Sequence, residues 1–77
     1  MEKRNQVVEW VKRQFSERPY RSFSAGECAR ESGVSVNTAK KYLREMVKQG
    51  VGIYEFLYEM RNGLVATIYG FTNVRED

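Results

Sequence analysis

The chemistry most concentrated in this 77-residue chain is positive charge. Between Ser35 and Gly50 stand Lys40, Lys41, Arg44 and Lys48 against a single acid, Glu45. Residues 1–34 carry seven basic and five acidic side chains and residues 51–77 two and four, so the net charge of +3 gathers in the stretch NTAKKYLREMVKQG. Cations clustered on one element are the electrostatic footprint of a polyanion binder. A scaffold helix with an ordinary solvated face mixes both signs.

Other chemistries find little to work with. The chain has one cysteine, Cys28, and no histidine, which excludes an internal disulfide and a Cys/His zinc site. Cys28 reads as a small apolar residue on a helix. No serine or cysteine nucleophile has a plausible base, and neither a glycine-rich phosphate loop nor a metal-ligand cluster is present, so the expectation is a protein that is not an enzyme and takes no cofactor, metal or small-molecule ligand. Glu27 and Glu31 lie one helical turn apart and read as capping or solubility residues. A domain of this length buries only about 60–65% of the surface its unfolded chain exposes, which makes a deep, water-excluded cavity costly. The apolar share of 42% and aromatic share of 13% argue against disorder. The charged opening MEKRNQ and the absence of a long apolar run point to a cytoplasmic protein without a signal peptide or membrane span.

The elements that must position these residues follow from period and punctuation. Val7, Val8, Val11 and Phe15 recur at helical spacing in a first helix over about residues 2–17, with Pro19 just beyond it and Trp10 beside the apolar stripe. A short extended piece is expected around 21–23. Ser24 with Glu27 three residues on fits a capping box for a helix over 25–32, which Gly33 stops in the left-handed conformation. Ser35 then caps a helix over 36–49 that ends at Gly50. Its buried stripe is Ala39, Leu43, Met46 and Val47 with Tyr42 at the margin, which leaves Asn37, Thr38, Lys40, Lys41, Arg44 and Lys48 outside.

After Gly50 the period changes. VGIYEFLYEM and LVATIYGF are rich in β-branched and aromatic residues and flank RNG, a hairpin signal over 52–72. A two-residue Asn62–Gly63 turn would set Tyr54, Phe56, Tyr58 and Met60 beside Val65, Thr67, Tyr69 and Phe71. A three-residue loop, Arg61–Asn62–Gly63, instead pairs Met60 with Leu64, Tyr58 with Ala66 and Phe56 with Ile68, and sets Glu55 and Glu59 opposite Tyr69 and Val65. The second register leaves one face apolar and the other mixed, and is favoured. Residues 73–77 read as a frayed tail, and the chain 1–77 as one α+β domain.

Two helices joined by a tight glycine turn form a helix-turn-helix arrangement. AGECARESGVSVNTAKKYLREMVKQG followed by a hairpin resembles the winged helix-turn-helix family of DNA-binding domains. Ala29 is small where two helices cross, Gly33 makes the turn, Val34 tucks in behind it, and the closing Gly50 releases the first wing strand. The resemblance implies a three-helix fold with a C-terminal two-stranded wing, and a sequence-specific, transcription-regulating protein bound to double-stranded DNA. It places the recognition-helix contacts at Ser35, Val36, Asn37, Thr38, Lys40, Lys41 and Arg44. Asn37 can pair bidentately with adenine, and Lys40, Lys41 or Arg44 can reach guanine or phosphate. Val36 can touch a thymine methyl, while Ser35 and Thr38 serve as phosphate contacts or as helix caps. The wing tip offers only Arg61 and Asn62, and Asn62–Gly63 is also turn chemistry. Lys12, Arg13 and the opening EKR stand ready for phosphate if the first helix abuts the backbone.

The same fold also serves as a protein–protein interaction module, a reading that the acidic C-terminal third and the aromatic hairpin (Tyr54, Tyr58, Tyr69, Phe71) support. A homodimer, through Trp10 on the first helix or through the hairpin, is the oligomer the sequence leaves open. Single-stranded nucleic acid on an aromatic strand platform is the third reading.

Overall fold

Two left-handed glycines punctuate the helical part of the chain, Gly33 at φ 79° and Gly50 at φ 67°. At such φ a side chain would be strained, so each glycine ends a helix where any other residue would resist the turn. The computed structural model describes residues 2–72; the expected tail at 73–77 lies outside them. Its elements are α1 (Lys3–Glu17), β1 (Phe23–Ser24), α2 (Ala25–Ser32), α3 (Val36–Gln49), β2 (Ile53–Glu59) and β3 (Val65–Phe71). The fold is α+β, three helices with a three-stranded antiparallel sheet of order β1-β3-β2.

The helix ends are built locally. Ser24 is extended and its Oγ accepts the Glu27 N–H at 3.1 Å, while the Glu27 carboxylate takes Arg21 as its partner rather than closing back on the cap. The N–H groups of Gly33 and Val34 both return to the Ala29 carbonyl, at 3.0 and 3.1 Å. Ser35 Oγ accepts the Thr38 N–H at 3.1 Å, which opens α3 only three residues after α2 ends. At the other end the Gly50 N–H returns to the Val47 carbonyl and that of Val51 to Met46.

The core joins Val7, Trp10 and Val11 of α1, Phe23, Ala25, Cys28 and Ala29 around α2, Ala39 and Leu43 of α3, and Ile53 and Tyr69 of the sheet. Val34, Tyr42, Met46, Val47 and Phe71 pack around it. This corrects the expected stripe of α1. Trp10 is only 2% exposed, whereas Phe15 is 42% exposed and meets Phe71 edge-on at 5.2 Å. The reason is tertiary: Phe23 offers its ring to the indole at 5.0 Å and 81°, and the indole N–H donates to Glu31 Oε1 at 3.0 Å, so the tryptophan ties α1 to both β1 and α2. Trp10 is therefore no external dimer contact, and Glu31 is more than a solubilising residue.

The hairpin has the register of the three-residue loop: Phe56 pairs with Ile68, Tyr58 with Ala66 and Glu59 with Val65. Met60 N–H donates to the Leu64 carbonyl at 2.7 Å, and Gly63 at φ 83° completes the turn. The mixed face is the one that meets the helices, through Ile53, Tyr69 and the margin of Phe71. The apolar face looks outward, with Tyr54 42%, Phe56 36%, Tyr58 58%, Met60 45% and Leu64 62% exposed.

Candidate nucleic-acid interface

The outer face of α3 follows from its inner one. Ala39 and Leu43 are fully buried, and Met46 and Val47 are half-buried, so the helical period turns the residues between them to solvent. Asn37, Lys40, Lys41, Arg44, Glu45 and Lys48 together line one shallow depression of about 420 Å³. Four cations and one carboxylate make this surface electropositive, and the first turn of α3 contains no acid. The start of the helix adds its own partial positive charge through backbone N–H groups.

The members of this surface differ in how they are held. Asn37 and Lys41 are exposed and Lys40 is half-buried. The Lys41 ammonium lies 5.3 Å from the centroid of the Tyr42 ring, so its stem is guided rather than free to sweep. Arg44 is engaged more firmly: its Nε lies 3.6 Å from Glu55 Oε2 on β2. The same carboxylate oxygen accepts the Tyr69 hydroxyl at 2.7 Å. Burial, then the hydrogen bond to Glu55, drive the Tyr69 phenol well above its ordinary pKa. This Arg44–Glu55–Tyr69 chain links the exposed face of α3 to the sheet. The sequence places Glu55 opposite Tyr69 in the three-residue-loop register, and only the structure shows its link to Arg44.

The other expected contacts divide. The Ser35 hydroxyl is occupied as the helix cap and also lies 2.9 Å from Thr38 Oγ1, so both side chains serve the helix start. Val36 is 49% exposed and is not a core residue. Asn62 Oδ1 accepts the Leu64 N–H at 3.1 Å, which makes it a turn-forming residue, and Arg61 beside it is exposed. Neither Arg61 nor Asn62 lines the α3 depression. Arg4 and Lys12 of α1 are also elsewhere, on the rim of an apolar groove of about 390 Å³ formed with Val8, Val11, Phe15, Met46 and Phe71.

Cys28 is fully buried, and desolvation pushes its thiol up to about 11, so at neutral pH it is a packing residue and not a nucleophile. Among the described residues no group of three or more His, Cys, Asp or Glu could hold a metal ion, and no helix is long and apolar enough to cross a membrane. Compared with protein-family models, curated proteins and solved structures, the chain matches none.

Proposed function

We propose that the chain is a winged helix-turn-helix protein that binds double-stranded DNA with α3 in the major groove, as a small cytoplasmic transcriptional regulator and not an enzyme. The observation that carries this reading is the exposed, electropositive face of α3, set directly after the Gly33 turn and opened by a serine cap. An α-helix fits the major groove, and its first turns are the part that reaches base edges. Asn37 is the base reader, pairing with adenine, and Val36 approaches a thymine methyl. Lys40 and Lys41 supply guanine or phosphate contacts, while Arg44 stands toward phosphate with its charge held by Glu55. Ser35 and Thr38 hold the helix start whose N–H groups face the backbone. The β2–β3 hairpin is the wing, with Arg61 as its phosphate contact and Asn62 shaping its turn.

The test is duplex binding measured by fluorescence anisotropy over a salt series. Affinity falls steeply with salt, and Lys41→Ala lowers the slope by about one unit whatever the sequence. Asn37→Ala relaxes sequence preference in a selection of bound duplexes. A folded chain without duplex affinity at low salt refutes the reading.

One observation favours a second reading, a winged-helix protein–protein interaction module: the outward apolar face of the hairpin carries no charge on Tyr54, Phe56, Tyr58, Met60 or Leu64. Under that reading Tyr58→Lys abolishes partner capture while Lys41→Ala changes nothing.

A further inference from the structure

β2 is an edge strand, since the sheet order is β1-β3-β2. Its inner neighbour uses only half of its backbone. Met60 N–H donates to the Leu64 carbonyl and Thr72 N–H to the Gly52 carbonyl, so the even-numbered residues of this strand face β3. In an antiparallel ladder the hydrogen-bonding direction alternates, and Ile53, Glu55, Leu57 and Glu59 therefore turn their N–H and C=O groups to the open edge. Natural edges are commonly blunted by proline, a bulge or charged side chains, lysine above all. This one has no proline or lysine over Ile53–Glu59 and pairs with β3 unbroken from Ile53 to Glu59; its two charges are Glu59 and Glu55, whose carboxylate is taken up by Tyr69 and Arg44.

We infer that β2 pairs antiparallel with β2 of a second copy of this chain, across a two-fold axis at Phe56, joining two sheets into one of six strands. Symmetry and charge select that centre. A two-fold at Glu55 sets Glu55 against its own copy, and one at Leu57 sets Glu55 against Glu59; like charges directly opposite are destabilising. A two-fold at Tyr58 leaves the first half of β2 without strand partners. The axis at Phe56 matches all of β2, with Glu55 opposite Leu57 and Glu59 opposite Ile53. The outward-turned backbone groups of those residues then meet as hydrogen-bonded pairs.

On the other face Phe56 meets its own copy in a non-hydrogen-bonded pair, where side chains approach most closely, and Tyr54 meets Tyr58. Tyr54 already stacks on Phe56 at 5.6 Å within one chain, so the aromatic row continues across the axis. A perpendicular two-fold keeps both apolar faces on the same side and merges them. The pairing is isologous, as closed dimers require. It does not depend on duplex binding, although a dimer would suit a two-fold DNA site.

Sedimentation equilibrium of the full chain over a concentration series tests the pairing, with circular dichroism of each variant as the check on folding. The expected result is a monomer–dimer equilibrium in the micromolar range. Leu57→Pro removes an N–H that points away from β3, from a side chain already 71% exposed, so it abolishes dimerisation and keeps the monomer fold. Phe56→Lys sets two cations together at the axis and weakens the dimer about tenfold or more. Phe56→Cys, oxidised with copper phenanthroline, crosslinks faster than Tyr58→Cys, and the buried Cys28 does not compete. A monomer at every concentration overturns the inference, as does a dimer indifferent to both Phe56→Lys and Leu57→Pro. Faster crosslinking at Tyr58→Cys overturns the register. Anisotropy on the same samples reads duplex binding separately, so a monomer that binds duplex refutes this inference alone.

Discussion

Glu55→Gln separates stability from binding, because Glu55 serves the fold and restrains the proposed interface at once. Its carboxylate accepts the Tyr69 hydroxyl at 2.7 Å, and Tyr69 is fully buried, so this hydrogen bond cannot be exchanged for one to water. A bond to a charged acceptor is worth about 1.5–3 kcal/mol, and a neutral one about 1. Glutamine keeps an acceptor, so the loss at Tyr69 is about 1 kcal/mol. The Arg44 pair at 3.6 Å has a 58% exposed arginine side chain, and such surface pairs contribute between 0 and about 1 kcal/mol. The sum is about 1–2 kcal/mol, and each kcal/mol lowers the melting temperature of a domain this size by about 4–8 °C. Binding moves the other way: the substitution removes a negative charge beside α3 and releases Arg44 toward phosphate. One added phosphate contact steepens the logarithmic salt dependence of duplex affinity by about 0.9. Urea denaturation and anisotropy on the same variant therefore show lower stability and tighter low-salt binding. Reduced stability with an unchanged or shallower salt slope refutes the role given to Arg44.

Three further substitutions or titrations probe the frame. Trp10→Phe keeps an aromatic ring against Phe23 but loses the N–H bond to Glu31 and part of the packed volume, and it lowers unfolding free energy by about 1–3 kcal/mol in denaturant titration. Alkaline pH destabilises the fold through two groups of the same sign. The Cys28 thiol rises from 9.0 to about 11 and the Tyr69 phenol also rises, so the unfolded chain releases these protons first. The Cys28 contribution is complete below pH 9 and declines as pH rises through about 11, that of Tyr69 begins to fall only above pH 10, and Cys28→Ala removes the part of the decline that begins at pH 9. Asn62→Ala takes the acceptor from the Leu64 N–H and costs about 0.5–1.5 kcal/mol by thermal melting, with duplex affinity at low salt unchanged within error.

Local signals in the sequence were enough for the parts of this fold built from local interactions. Ser35 followed by Thr38, and Gly33 and Gly50 after the last apolar positions, mark the ends of helices because the capping bonds span only a few residues. The hairpin register was legible for the same reason: Asn62 and Gly63 set a short loop, and a one-residue slip would have scrambled the two faces. The cationic run of α3 was visible as charge, and its exposure followed from the buried Ala39 and Leu43.

Other features depended on which surfaces came together. Periodicity placed Trp10 beside the stripe of α1, yet the ring of Phe23 and the carboxylate of Glu31, distant in sequence, drew it into the core. Nothing in the alternation of β2 said which face would meet the helices. Tyr69 and Ile53 decided that by joining Phe23 and the core of α1, and the wholly apolar face was left outside. The bond between Arg44 and Glu55 likewise exists only because α3 crosses that side of the sheet. Sequence alone determined the caps, the turns, the hairpin register and the position of the charge, since each is decided within a few residues. Tertiary structure decided the core place of Trp10, the outward aromatic face and the tether on Arg44, because each is a choice among partners far apart along the chain.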